Sequence, residues 1–145
     1  MIIRSVLAVA ALAVGITAVA AQSDPIAARK AMMKANGAAA GQGAKYMKGE
    51  EPFDLAKAKA IFAAYEKTGA EFGKLFPDNS KTGDTAALPA VWENKADFDA
   101  KTAKFGAEAK AAAAKVTDEA SFKAQFAEVQ KNCGGCHQPY RKRAS

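Results

Sequence analysis

Cysteine and histidine are nearly absent from this chain of 145 residues, which has two of the first and one of the second. A structural zinc site wants four nitrogen or sulfur ligands. This sequence offers three, all in one place, so a zinc fold is excluded. β-Branched residues are scarce and alanine is abundant, which favours helix over strand. No internal repeat or low-complexity linker divides the chain. The only long apolar run is Ser5 to Val19. The formal charge is +6, but the lysines are spread along the whole length and no aromatic-basic motif accompanies them. Nucleic acid is therefore not an expected partner. The charge reads first as a solvated lysine-rich helical surface, and second as a means of docking acidic partners.

The apolar run and its flanks read as a secretory signal. Arg4 supplies the positive end, Ser5–Val19 the apolar core, and Ala18-Val19-Ala20 and Val19-Ala20-Ala21 are small-x-small cleavage patterns. Residues 1–21 are expected to be removed, leaving a single domain over 22–145. A core this short, followed at once by Gln22-Ser23-Asp24, argues against a retained anchor, so no membrane span is expected in the mature chain. Loss of Arg4 takes one positive charge and no acid, so +6 falls to +5.

Both cysteines and the histidine stand together as Cys133-Gly134-Gly135-Cys136-His137. This is C-x-x-C-H, the pattern for covalent attachment of a c-type haem. The two thiols can form thioethers to the haem vinyl groups, and the neighbouring imidazole can reach the iron. A thioredoxin-like C-x-x-C belongs near a strand-helix-strand pattern, which is missing here. A plain disulfide leaves His137 idle. In a small exported chain the motif points to the bacterial periplasm.

Four stretches carry helical periodicity. The first opens at Ser23-Asp24-Pro25, with Ile26, Arg29, Met33, Ala40, Ala44 and Met47 on one stripe and Gly49 as its stop. Gly37, Gly41 and Gly43 weaken it, at about 1 kcal/mol each, while allowing close approach. The second runs from about Asp54 to Phe76, with Leu55, Ala58, Phe62, Tyr65, Gly69, Phe72 and Leu75 facing inward, and Pro77 ends it. After a turn-rich connection over 78–87, the third opens near Leu88-Pro89 and carries Val91, Phe98, Thr102, Phe105, Ala109, Ala112 and Val116. The fourth starts at Thr117, with Asp118 and Glu119 at the positive end of the helix dipole. Its stripe is Phe122, Phe126, Val129, Cys133, Cys136 and Tyr140, so both thiols are expected to point inward. Pro139 should kink the last turn. Four helices of about 20 residues with short loops make an all-α, antiparallel four-helix bundle with a C-terminal covalent haem site.

Taken together, these residues resemble the class II c-type cytochromes, the cytochrome c prime family, most closely its low-spin, methionine-ligated subgroup. The resemblance covers the mature chain. It rests on Arg29-Lys30-Ala31-Met32-Met33-Lys34, on Leu75-Phe76-Pro77-Asp78, on Trp92, and on Cys133 to Arg141. It implies one haem c, covalent through Cys133 and Cys136, with His137 as one axial ligand to the iron. Within the family the first helix faces the open side of the iron, and Met32-Met33-Lys34-Ala35-Asn36-Gly37 looks like the subgroup whose methionine ligates it. The match falls on Met33, which shares the stripe with Ile26 and Ala40, whereas Met32 is turned about 100° away. Met33 as a packing residue on the porphyrin is the alternative. By position, Arg29 matches a family arginine near the haem propionates, and Arg141 a basic residue beside the proximal imidazole.

The function this implies is periplasmic transfer of single electrons to redox partner proteins, acidic at the docking face. If Met33 only covers the iron, the implied function is instead binding or sensing of nitric oxide or carbon monoxide by a five-coordinate, high-spin protein. Peroxidase-type chemistry would want distal acid-base groups, and the first stripe offers only Arg29, so an enzyme is not expected. Family members are often homodimers through the first two helices, although no heptad seam in this chain demands it.

Overall fold

A computed structural model describes residues 24–143. The expected signal segment lies outside the described residues. Four long helices form the molecule: α1 (Pro25–Lys48), α2 (Leu55–Glu71), α4 (Lys95–Lys115) and α5 (Glu119–Tyr140), with a one-turn helix α3 (Ala90–Glu93) before α4. They pack as an antiparallel four-helix bundle. Among the described residues the only β pairing is an isolated antiparallel bridge between Ala87 and Arg141.

The helix ends follow local chemistry. Asp24 Oδ1 accepts from Ile26 N at 2.9 Å ahead of Pro25, and Asp54 Oδ1 accepts from Lys57 N at 2.9 Å. Gly49 closes α1 in the left-handed region at φ 70°. Asp118 and Ser121 form a reciprocal capping box at the start of α5. α1 is continuous through its glycines.

Two expectations about the helices are corrected. The second helix ends at Glu71 and tightens into a 3₁₀ turn over Phe72–Leu75 before Pro77. The third is broken at Asn94 (φ −120°, ψ 45°), so Val91 and Trp92 sit on the short α3. Pro139 does not interrupt α5, which runs to Tyr140. Its missing N–H forfeits one bond to Gly135, and Arg141 N still reaches His137 O at 3.1 Å.

The inward faces are largely those the periodicity marks, with drift at the ends. Ala58, Phe62, Tyr65, Val91, Phe98, Ala109, Ala112, Val116, Phe122, Phe126 and Val129 are all buried. Met47 and Leu55 are not, at 38% and 39% exposure. Tyr46, one residue before Met47, takes the inward place instead, edge-on to Phe53 and Phe122. A three-and-four stepping slips against the true 3.6-residue turn, and over six turns the slip carried Met47 off the buried face. Leu55 lies in the first turn of α2, where Phe53 covers the core in its stead. α2 and α4 cross at Gly69 and Gly106, where a Cβ on Gly69 would stand 2.3 Å from Gly106 Cα.

Candidate functional site

At one end of the bundle the helices part around a cleft of about 680 Å³, inside the usual range for small-molecule and cofactor sites. Cys133, Cys136 and His137 reach it from the last turns of α5, Arg29 and Met33 from α1, and Arg141 from the extended residue after α5. All six site residues read from the sequence therefore line one cavity, although α1 and the motif lie about a hundred positions apart. Phe72, Phe76, Val91, Phe98 and Phe105 supply apolar walls.

Both thiols line the cleft rather than packed core. α5 leaves the packed core after Val129 and runs along the open cleft, so Cys136 is half-buried and Cys133 is exposed. Cys136 packs on the cluster of Phe76, Val91, Phe98 and Tyr140. The Cys133 thiol donates to Gln130 Oε1 at 3.3 Å, and Gln130 Nε2 donates to the Tyr65 hydroxyl at 2.8 Å. No disulfide joins the two cysteines, and desolvation pushes both thiol pKa values up.

His137 is exposed as a residue, but the cleft walls screen its ring. That desolvation, with the Arg141 cation as the smaller cause, holds its pKa below the ordinary histidine value. The neutral imidazole, the form that binds metals, is favoured. Among the described residues no three His, Cys, Asp or Glu side chains converge as a metal-binding cluster.

Arg29 is 5% exposed, and four of its five donors are engaged. Nη1 donates to Leu75 O at 3.1 Å and Ser80 Oγ at 2.9 Å. Nη2 donates to Ser80 O at 3.1 Å and Thr85 Oγ1 at 3.2 Å. Its guanidinium also lies 4.5 Å from the Phe76 ring centroid. Burial lowers its pKa, while Asp24 opposes the shift. Arg29 thus fastens the connection after α2 to α1, with only the Nε–H beyond those four bonds. Trp92 fastens the same connection by donating to Phe76 O at 3.0 Å.

Sequence reasoning put Tyr65 on the inner face but missed the hydrogen bonds of this wall, from Gln130 to the Tyr65 hydroxyl and from Thr68 Oγ1 to Asn36 Oδ1 at 2.9 Å. One signal was available, since Gln130 stands three positions before Cys133, on the same side of a helix.

The donor set suits a c-type haem. A flat apolar macrocycle needs aromatic walls, its vinyl groups need two thiols at fixed spacing, its iron needs an imidazole, and its carboxylates need cations at the rim. The cleft offers one group of residues for each need.

The comparisons with known proteins agree. The sequence model described as Cytochrome C' matches residues 24–141. The cytochrome c' of Rhodopseudomonas palustris (strain ATCC BAA-98 / CGA009) is 46% identical over 126 residues, covering 86% of each chain. A cytochrome c-556 of Agrobacterium fabrum (strain C58 / ATCC 33970) is 43% identical over 114 residues, 78% of this chain and 77% of the relative. The solved structure of cytochrome c' from Rhodopseudomonas palustris superposes with a TM-score of 0.81 at 46% identity, covering 86% of this chain and 100% of the other. Such matches imply a haem c with its iron, in a protein that carries electrons or binds a gas rather than an enzyme. With the bundle, the C-terminal motif and the cleft in agreement, this chain belongs to the cytochrome c′ family.

Proposed function

We propose that this protein is an exported, periplasmic electron carrier that holds one haem c through Cys133 and Cys136, with His137 and Met33 as axial ligands. One observation carries the reading: Met33 lines the same cleft as Cys133, Cys136 and His137, on the opposing helix. Haem iron supplies reversible one-electron chemistry. The rest is the work of the chain. The two thiols tether, His137 offers a neutral nitrogen, and the Met33 thioether offers a soft sulfur, a pairing that raises the reduction potential. The aromatic walls exclude water and keep both ligands in place in either oxidation state, so little reorganises when an electron moves. Arg29, through its Nε–H, and Arg141 would pair with the carboxylates of a bound haem. Among the described residues no helix is long and apolar enough to cross a membrane. The carrier would exchange electrons with redox partners that are acidic at the docking face. Arg141, Lys142 and Arg143 are exposed beside the cleft and suit that docking.

The test is the absorption spectrum of the reduced protein with and without carbon monoxide. A sharp low-spin spectrum that the gas barely alters is expected, turning high-spin and gas-sensitive in Met33→Ala. A wild type that is high-spin and shifts at once with carbon monoxide would sink the Met33 ligation and make the protein a gas binder.

A further inference from the structure

The turn that carries His137 has little structure of its own. Gly134 and Gly135 precede it, and each glycine disfavours helix by about 1 kcal/mol. Pro139 has no N–H to return to the Gly135 carbonyl. No neighbour packs on this backbone either. A Cβ on Gly135 would meet nothing within 4 Å, and one on Gly134 only the Gln138 side chain at 4.0 Å. An axial ligand on such a turn needs its orientation fixed from outside.

Two outside elements do this through a single residue. Tyr140 lies one turn beyond Cys136 on the same face, so the two flank His137. Its ring is 5% exposed and edge-on to Phe98, with centroids 5.2 Å apart. Its hydroxyl donates to Asp97 near the start of α4, and Asp97 is held in turn by Lys101 at 3.3 Å. The backbone is pinned as well. Tyr140 O accepts from Leu88 N at 2.9 Å, and Lys142 N donates to Ala86 O at 2.8 Å across the Ala87–Arg141 bridge. The bond to Asp97 pushes the Tyr140 pKa up to about 12, so the donor persists across the neutral range.

We propose that Tyr140, fixed by Asp97, is a positioning residue that sets the orientation of the His137 imidazole. The proposal rests on His137 as an axial ligand and is independent of Met33. Removing the hydroxyl leaves the ring packed on Phe98, but loosens the backbone bonds of Leu88 and Lys142 and frees the turn to pivot about Cys136.

The test compares ferric holoprotein of wild type, Tyr140→Phe, Asp97→Ala and Asp97→Asn by proton NMR. The hyperfine-shifted haem methyl resonances depend on the plane of the axial imidazole. In Tyr140→Phe and Asp97→Ala they should reorder or double, and the Leu88 and Lys142 amides should exchange on the order of tenfold faster, as expected for loss of a hydrogen bond to a charged group. Asp97→Asn keeps a carbonyl acceptor and should recover most of the wild-type pattern. Haem methyl shifts unchanged in Tyr140→Phe would overturn the proposal. So would changes that merely follow a lowered denaturation midpoint measured by circular dichroism on the same samples. A wild type that carries no haem under denaturing conditions would instead overturn the haem reading beneath it.

Discussion

The two ends of this bundle are built on different principles. At one end Tyr46, Phe53, Phe62, Phe122 and Phe126 close around each other, with Phe122 touching each of the other four rings at centroid distances between 5.2 and 5.8 Å. Tyr46, Phe62, Phe122 and Phe126 are buried there, and Phe53 packs partly buried against them. At the other end Phe72, Phe76, Phe98 and Tyr140 form a second cluster along one side of a cleft. The polar tethers gather there: Arg29 on the Leu75–Thr85 connection, Trp92 on Phe76, Tyr140 on Asp97. The closed end carries the fold through packing. The open end keeps its walls apart by hydrogen bonds, which hold geometry without filling space. A cofactor protein needs both, because a core that closed everywhere would leave no room for the group it serves.

The most severe way to break this division is to hollow out the closed end. Phe122→Ala removes the ring at the centre of that cluster and should cost about 3–5 kcal/mol, read as a lowered urea midpoint. The haem spectrum of the fraction still folded should stay as in wild type. A changed spectrum would mean that the two ends are not separate. Next in size is the joint between them. A Cβ on Gly69 would press on Gly106 Cα at 2.3 Å and Gly106 N at 2.5 Å, backbone that cannot turn aside. Gly69→Ala should cost about 1–3 kcal/mol and disturb both ends, seen as faster amide exchange in each.

These two positions also show what could be read from the sequence. Phe122 is legible, since apolar residues at helical spacing mark a buried face wherever the helix is regular. The same holds for Phe62, Phe98 and Ala109. The C-x-x-C-H run marks a cofactor site, and its stripe puts Met33 on the side of α1 that lines the cleft. Gly69 is less legible. Periodicity puts it on the inner face, but only the crossing of two helices makes its missing side chain a requirement. The Arg29 tether, the break at Asn94 and the Tyr140–Asp97 bond depend on where a long connection folds back, and no spacing rule encodes that. The exposure of Cys133 has a related origin, because a stripe tells which way a residue points and not whether a neighbour stands opposite, whereas Met47 is lost to the slip of three-and-four stepping.

Acid should separate the two ends more gently. Asp118 is held below the ordinary aspartate range by its bonds from Ser121, and Asp97 chiefly by the bond from Tyr140. A carboxylate whose folded pKa is depressed contributes stability that is present above its unfolded pKa and lost as pH falls through the folded one. Both contributions are therefore present at pH 7 and disappear below about pH 4. Asp118→Asn should flatten the acid dependence of amide exchange in the first turns of α5, at the closed end. Asp97→Asn should flatten it at Leu88 and Lys142. An equal effect of either variant at both places would merge the two ends into one acid-sensitive unit.

The smallest effect lies within a single turn of α1, where two glycines face opposite ways. Gly41 is exposed and an added Cβ meets nothing within 4 Å, whereas at Gly43 it would lie 2.3 Å from the tip of the Phe126 ring. Neither has positive φ, so alanine suits the backbone at both. Gly41→Ala should therefore stabilise by about 0.5–1 kcal/mol through helix propensity alone. Gly43→Ala gains the same term, but must push aside a ring stacked on Phe122 at 5.2 Å in a core without slack. Overpacking of about 1–3 kcal/mol outweighs the gain, so the net change is a loss. The pair, read as thermal midpoints moving in opposite directions, measures how tightly α1 is held at the closed end. Two shifts of the same sign would show that Phe126 yields freely and that this end is less closed than its rings suggest.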